Sequence, residues 1–163
     1  MQKDWQALLY RSIPLASAMA VNTQVMDDGR IDLLAPLAPN VNDKGTAFGG
    51  SLVTLATLAG WIEIQRLLDD AGLGADVEVV IQRGETAYLL PVRADFSAVV
   101  QPQCPDVLQR FLRQFERRGL ARLMVEVTIV SAGESVARFQ ADYVAKRGDF
   151  QSTSLDMHQI AQR

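Results

Sequence analysis

Two adjacent glycines, Gly49 and Gly50, open an uncharged stretch that continues Ser51-Leu52-Val53-Thr54-Leu55-Ala56-Thr57. A glycine pair at a helix start lets a backbone amide approach a ligand carbonyl, and the aligned peptide dipoles there favour an oxygen that gains negative charge. The same pair also serves simple close packing. Thr57 follows Gly50 by seven residues, which on a helix is two turns less about 20°. Gly50 and Thr57 therefore share one strip with Val53, Thr54, Gly60 and Trp61. The Thr57 hydroxyl can donate into whatever occupies that strip, or fold back on the carbonyl four residues earlier. Glu63, the nearest acid on the segment, is about 120° further round the axis, which directs it to solvent or to Arg66.

Other chemistries lack their residues. The chain has one cysteine, Cys104, and one histidine, His158, which sits in the polar tail from Gln151 to Arg163. A Cys/His zinc site cannot be assembled from those, and a Ser-His-Asp or Cys-His arrangement would have to recruit the tail. No intrachain disulfide can form, nothing calls for an oxidising compartment, and no cofactor is implied, so the expected setting is the cytoplasm. A net charge of −3 and a pI near 5.1 argue against a nucleic-acid coat. Charge is uneven, however. Arg110, Arg113, Arg117, Arg118 and Arg122 face a single acid, Glu116, between Gln109 and Arg122. Such a patch would draw an acidic carrier protein or the phosphates of coenzyme A, with Arg113 and Arg117 as its centre, unless it is only a solvated helix face.

The elements that must position these groups follow from periodicity. Lys3 to Arg11 reads as a short amphipathic helix ended by Pro14. Met19–Met26 and Arg30–Leu37 read as strands about an Asp27-Asp28-Gly29 turn. Phe48–Ala71 is a long helix with apolar residues in nearly every direction, so it must be enclosed on most sides. Further strands are expected at Val77–Gln82, Thr86–Ala98, Arg122–Ser131 and Ser135–Lys146, with a turn at Arg83-Gly84-Glu85. Pro105–Arg118 is an amphipathic helix stopped by Gly119. Ile13–Val21 is too interrupted for a signal peptide, and the glycine- and threonine-rich Gly45–Ile62 is a poor membrane span. The expectation is an α+β hotdog fold: one domain over residues 1–150, with a long central helix wrapped by about six antiparallel strands. An exposed sheet edge in that fold calls for a homodimer, and a tetramer is a further option.

The phrase Asn42-Asp43-Lys44-Gly45-Thr46-Ala47-Phe48-Gly49-Gly50-Ser51 resembles the segment that opens the central helix of hotdog thioesterases. Those enzymes carry Asn, two residues, Gly, two residues, His-Gly-Gly, and then a catalytic acid along the helix. Here Phe48 replaces the histidine and Thr57 the acid. With Leu55-Ala56-Thr57-Leu58-Ala59-Gly60-Trp61, the stretch from Pro39 looks like the YiiD C-terminal thioesterase-like branch, some members of which are tied to malonyl-acyl carrier protein decarboxylation. That resemblance implies Asn42 and Thr57 as polar site residues. It assigns the Asn42 amide and the Gly50 N–H to the thioester oxygen, and Thr57 to the carbonyl or carboxylate. Gly49, Phe48, Val53 and Trp61 would line the substrate, while Asp43 would face the pocket or cap the helix. Decarboxylation needs neither nucleophile nor base. Hydrolysis with water held by Asn42 and Asp43, or acyl-thioester binding without chemistry, are the other readings.

Overall fold

The computed structural model describes residues 3–148; the tail at 151–163, and His158 with it, lie outside the described residues. Helix α1 (Trp5–Ser12) is capped by Asp4, whose carboxylate accepts the Ala7 amide at 2.9 Å. Pro14 ends that helix and then starts a second, α2 (Pro14–Ala18), because a proline at the first helical position has no amide to leave unpaired. There follow strands β1 (Asn22–Val25) and β2 (Ile31–Ala35), helix α3 (Gly49–Asp70), strands β3 (Val77–Tyr88) and β4 (Phe96–Val100), helix α4 (Pro105–Arg118), and strands β5 (Leu120–Ser131) and β6 (Glu134–Arg147).

The strands form one antiparallel six-stranded sheet in the order β1-β2-β4-β5-β6-β3. Alternation sets its two faces: along β5, Leu123, Val125, Val127 and Ile129 are buried while Arg122, Met124 and Glu126 are exposed. The buried face wraps α3, which touches β2, β3, β4, β5 and β6. This is the hotdog arrangement that the apolar helix required. Gly119, at φ 65°, closes α4 in the left-handed conformation that a side chain would strain.

The division between β3 and β4 differs from the sequence reading. Arg83-Gly84-Glu85 is not a turn; β3 runs straight through it with a register slip between Ile81 and Arg83. Gly84 is there for close approach, since a Cβ would press on the Phe139 ring at 3.3 Å. The chain instead leaves the sheet between Tyr88 and Phe96, where Pro91 can donate no ladder hydrogen bond.

Helix and sheet meet closely at Gly60. The Tyr143 ring, 1% exposed, lies where a Gly60 side chain would be, and its hydroxyl donates to the Thr57 carbonyl at 2.8 Å. Burial pushes the Tyr143 hydroxyl far above its ordinary pKa, so it remains a donor. Gly60→Ala should therefore cost about 1–3 kcal/mol through overpacking. In a Tyr143→Leu background the penalty should shrink, which urea unfolding of the four proteins in a double-mutant cycle measures.

Candidate functional site

The loop before α3 is held by its own side chains. Asn42 Oδ1 accepts the amides of Lys44 at 2.9 Å and Thr46 at 3.1 Å. Two backbone donors on one oxygen fix which end of the amide is which, so Nδ2 points at Thr46 Oγ1, to which it donates at 2.9 Å. The Asn42 backbone amide also donates to the Thr46 carbonyl at 2.7 Å, and Gly45 turns the loop at φ 74°. Asn42 is thus half-buried and fixed, with its second Nδ2 hydrogen given to no acceptor among the described residues. Asp43 neither caps α3 nor turns inward; it is exposed and paired with Lys44 at 3.1 Å.

A residue that sequence reasoning missed sets the entry to α3. Asn40 is 2% exposed, its side-chain amide donates to the carbonyls of Met19 and Pro36, and its own carbonyl accepts the Phe48 amide at 2.7 Å. The Ala47 amide is held in turn by the Val92 carbonyl at 2.8 Å. These bonds fix Phe48 as the N-cap without any side-chain cap. The available signal was a single amide closing the apolar run Pro36-Leu37-Ala38-Pro39.

Past that N-cap, the amides of Ser51 and Leu52 donate to the Phe48 carbonyl, whereas those of Gly49 and Gly50 have no backbone acceptor among the described residues. Both glycines are packed by aromatic rings. A Cβ on Gly50 would overlap the Phe48 ring, and one on Gly49 would lie 3.3 Å from Tyr88, whose hydroxyl donates to the Gly49 carbonyl at 3.2 Å. Phe48 is 58% exposed, with its ring against Gly50.

Down the helix, Val53, Thr54, Thr57 and Trp61 are only half-buried, in the strip expected from their spacing, while Gly60 is buried under Tyr143. The Thr57 hydroxyl donates to the Val53 carbonyl at 2.8 Å, the second of the two options open to it. Glu63 lies off the strip and is itself buried, bound at both oxygens by Arg66 at 2.8 and 3.0 Å. That contact raises the Arg66 pKa, followed by the desolvation that opposes it, and leaves Glu63 tied up in structure. Among the described residues the strip carries no carboxylate.

The structure does not bring α4 to this place. Helix α4 runs through Gly119 into Leu120, which pairs with Lys146, and the Arg147 amide donates to the Gly119 carbonyl at 2.9 Å. Arg147 pairs with Val77, at the opposite end of β3 from Tyr88 and Gly49. The C-terminal end of α4, which carries Arg117, therefore lies at the Val77 end of β3, away from Gly49. No described helix is long and apolar enough to cross a membrane.

A central helix wrapped by a six-stranded antiparallel sheet is the hotdog fold. The chain belongs to the family described as "Putative thioesterase (yiiD_Cterm)", whose model matches residues 2–147. Among solved structures it is similar to a Chlorobaculum tepidum TLS protein of unknown function, at 27% identity over 86% of this chain and 91% of that one, with a TM-score of 0.80. A "putative thioesterase" from Shewanella oneidensis matches at 27% identity over 86% and 94%, TM-score 0.72. A Pseudomonas aeruginosa protein at 21% identity, over 90% and 98% with a TM-score of 0.72, shows the shared fold.

If Asn42 holds the loop as drawn, Asn42→Ala frees two backbone amides. Amide exchange at Lys44 and Thr46 should accelerate by roughly tenfold while the thermal midpoint falls by no more than a few degrees, equivalent to about 1 kcal/mol. Unchanged exchange at both amides would show that the side chain is not what orders them.

Proposed function

We propose that the chain is a cytoplasmic enzyme that polarises the carbonyl of an acyl thioester at the start of α3, and that its reaction is decarboxylation of a malonyl thioester on acyl carrier protein. The observation that carries this reading is the content of the strip from Gly50 to Trp61: hydrogen-bond donors and apolar surface, with no carboxylate in place to attack or to activate water.

In the reaction, the Gly50 amide and the second Asn42 Nδ2 hydrogen hold the thioester oxygen. The bond between the α-carbon and the carboxylate breaks, its electron pair passes into an enolate on that oxygen, and carbon dioxide leaves. The α-carbon then takes a proton from solvent to give the acetyl thioester. Val53, Trp61 and Phe48 keep the departing carboxylate away from water. Thr57 contributes by turning its proton from the Val53 carbonyl to the substrate, an exchange of one hydrogen bond for another that costs little.

The same reading makes the protein a homodimer. Edge strand β3 leaves Val80 and Ile81 exposed, and Tyr88, Leu89 and Leu90 are exposed beyond them near Phe48. An unpaired edge of that length and character is normally covered. Arg83 and Glu85 flank Gly84, so antiparallel pairing of β3 with its own copy sets opposite charges together. Sedimentation at micromolar concentration should show the dimer, and a persistent 17.9 kDa monomer would refute it.

Asn42→Ala should lose on the order of 10²–10³ in turnover, the usual effect of removing one oxyanion donor. Thr57→Val should lose about tenfold, Thr57→Ser should restore most of that, and Glu63→Gln should leave the turnover of the folded protein nearly unchanged. With malonyl carrier protein as substrate, the assay measures carbon dioxide, acetyl carrier protein and free thiol. Acetyl carrier protein without free thiol is the expected result. Free thiol would mean hydrolysis, the activity the family description names, and unchanged substrate would mean binding alone.

A further inference from the structure

Helix α4 buries Phe111 and Phe115, half-buries Leu108 and Leu112, and turns Arg110, Arg113 and Arg117 to the opposite side at i, i+3 and i+7. Arg118 and Arg122 are exposed close by. None of the five makes an ion pair among the described residues, although Asp106 and Glu116 stand exposed on the same helix. Five unpaired like charges repel one another, and an oppositely charged surface relieves that repulsion. The stripe from Arg110 to Arg117 runs about 10 Å along the helix. Its charges are spread in a line, which suits an extended acidic protein face, whereas a phosphate group draws its donors to one point.

The sheet register says which site this surface serves. Along one subunit, β3 separates the α4 end from the Gly49 end by about 36 Å. Pairing of β3 with a second copy across a two-fold axis is antiparallel, so the Val77 end of one strand lies beside the Tyr88 end of the other. The partner subunit's α4 then stands three strand spacings from the first subunit's Gly49 end, about 14 Å across the sheet.

We propose that the arginine face of α4 on one subunit docks an acidic carrier protein whose thioester arm enters the Gly49-Gly50 site of the other. This rests on the dimeric thioester enzyme described above. The test uses mixed dimers, Cys104→Ser throughout so that the exposed native thiol does not compete. One subunit type carries Phe48→Cys with Arg113→Glu and Arg117→Glu; the other keeps Phe48 and both arginines. The probe is unacylated acyl carrier protein bearing its thiol-ended arm, and the readout is the disulfide formed with the thiol introduced by Phe48→Cys.

Charge-reversed homodimers should trap the carrier at least tenfold more slowly than homodimers carrying Phe48→Cys alone. An excess of subunits with intact arginines should restore the rate, because the arm of a carrier docked on one subunit reaches the thiol of the other. Undiminished trapping by the charge-reversed homodimer overturns the docking surface, and no recovery in the mixture overturns its action across the dimer. An equal loss when free coenzyme A is the probe overturns the protein partner in favour of a phosphate site. Arg113→Gln with Arg117→Gln, a milder pair, repeats the test if charge reversal prevents folding. No turnover is measured, so failure here is distinct from failure to decarboxylate, and sedimentation of the same mixtures separates both from failure to dimerise.

Discussion

A 22-residue helix that is apolar on most of its circumference cannot stand in water, and everything else in this fold answers that demand. Five strands lay their alternate side chains against α3, and Lys3, two residues before α1, reaches the far end of α3 through a pair with Asp69 at 2.9 Å. The close contact of Gly60 under Tyr143 sets the depth of the helix in the sheet. Once that depth is fixed, the single sheet leaves part of the circumference of α3 half-covered, and the strip of Val53, Thr54, Thr57 and Trp61 is that remainder. The candidate site is therefore a consequence of incomplete enclosure: the same geometry that buries one side of the helix leaves the other only half-covered.

The N-terminus of α3 is organised by backbone hydrogen bonds more than by charge. Asn40 and Val92 hold Phe48 and Ala47 by their carbonyls, Asn42 closes its loop on Lys44 and Thr46, and the first two helical amides have no backbone acceptor among the described residues. A donor set fixed before the substrate arrives costs nothing to reorganise as charge develops, which is where such sites gain their effect. The one acid buried in the helix, Glu63, is held by Arg66. It contributes to packing; removing Arg66 would strand a buried charge.

Much of this was legible in the residues. The enclosed helix, the count of six strands, the end of α4 at Gly119 and the strip at seven-residue spacing all follow from periodicity and stop signals, because each depends on local pattern. What sequence could not place was decided by neighbours distant in the chain. Gly84 reads as a turn until Phe139 is seen beside it, and Gly60 reads as one more small residue until Tyr143 arrives from 83 positions later. The burial of Asn40 depends on Met19 and Pro36 meeting it. Thr57 had two hydrogen-bonding options in sequence, and only the packed helix shows which one it takes.

The proposed reaction places the thioester oxygen on the Gly50 amide and Asn42. Titration of the ¹⁵N-labelled protein with a malonyl thioester mimic that cannot lose carbon dioxide probes both donors at once. The Gly50 amide proton and one Asn42 side-chain proton should move downfield together, with smaller shifts at Val53 and Thr57, and Asn42→Ala should weaken the Gly50 response. Saturable binding that leaves Gly50 and Asn42 unmoved, with shifts confined to another face of the sheet, would contradict it.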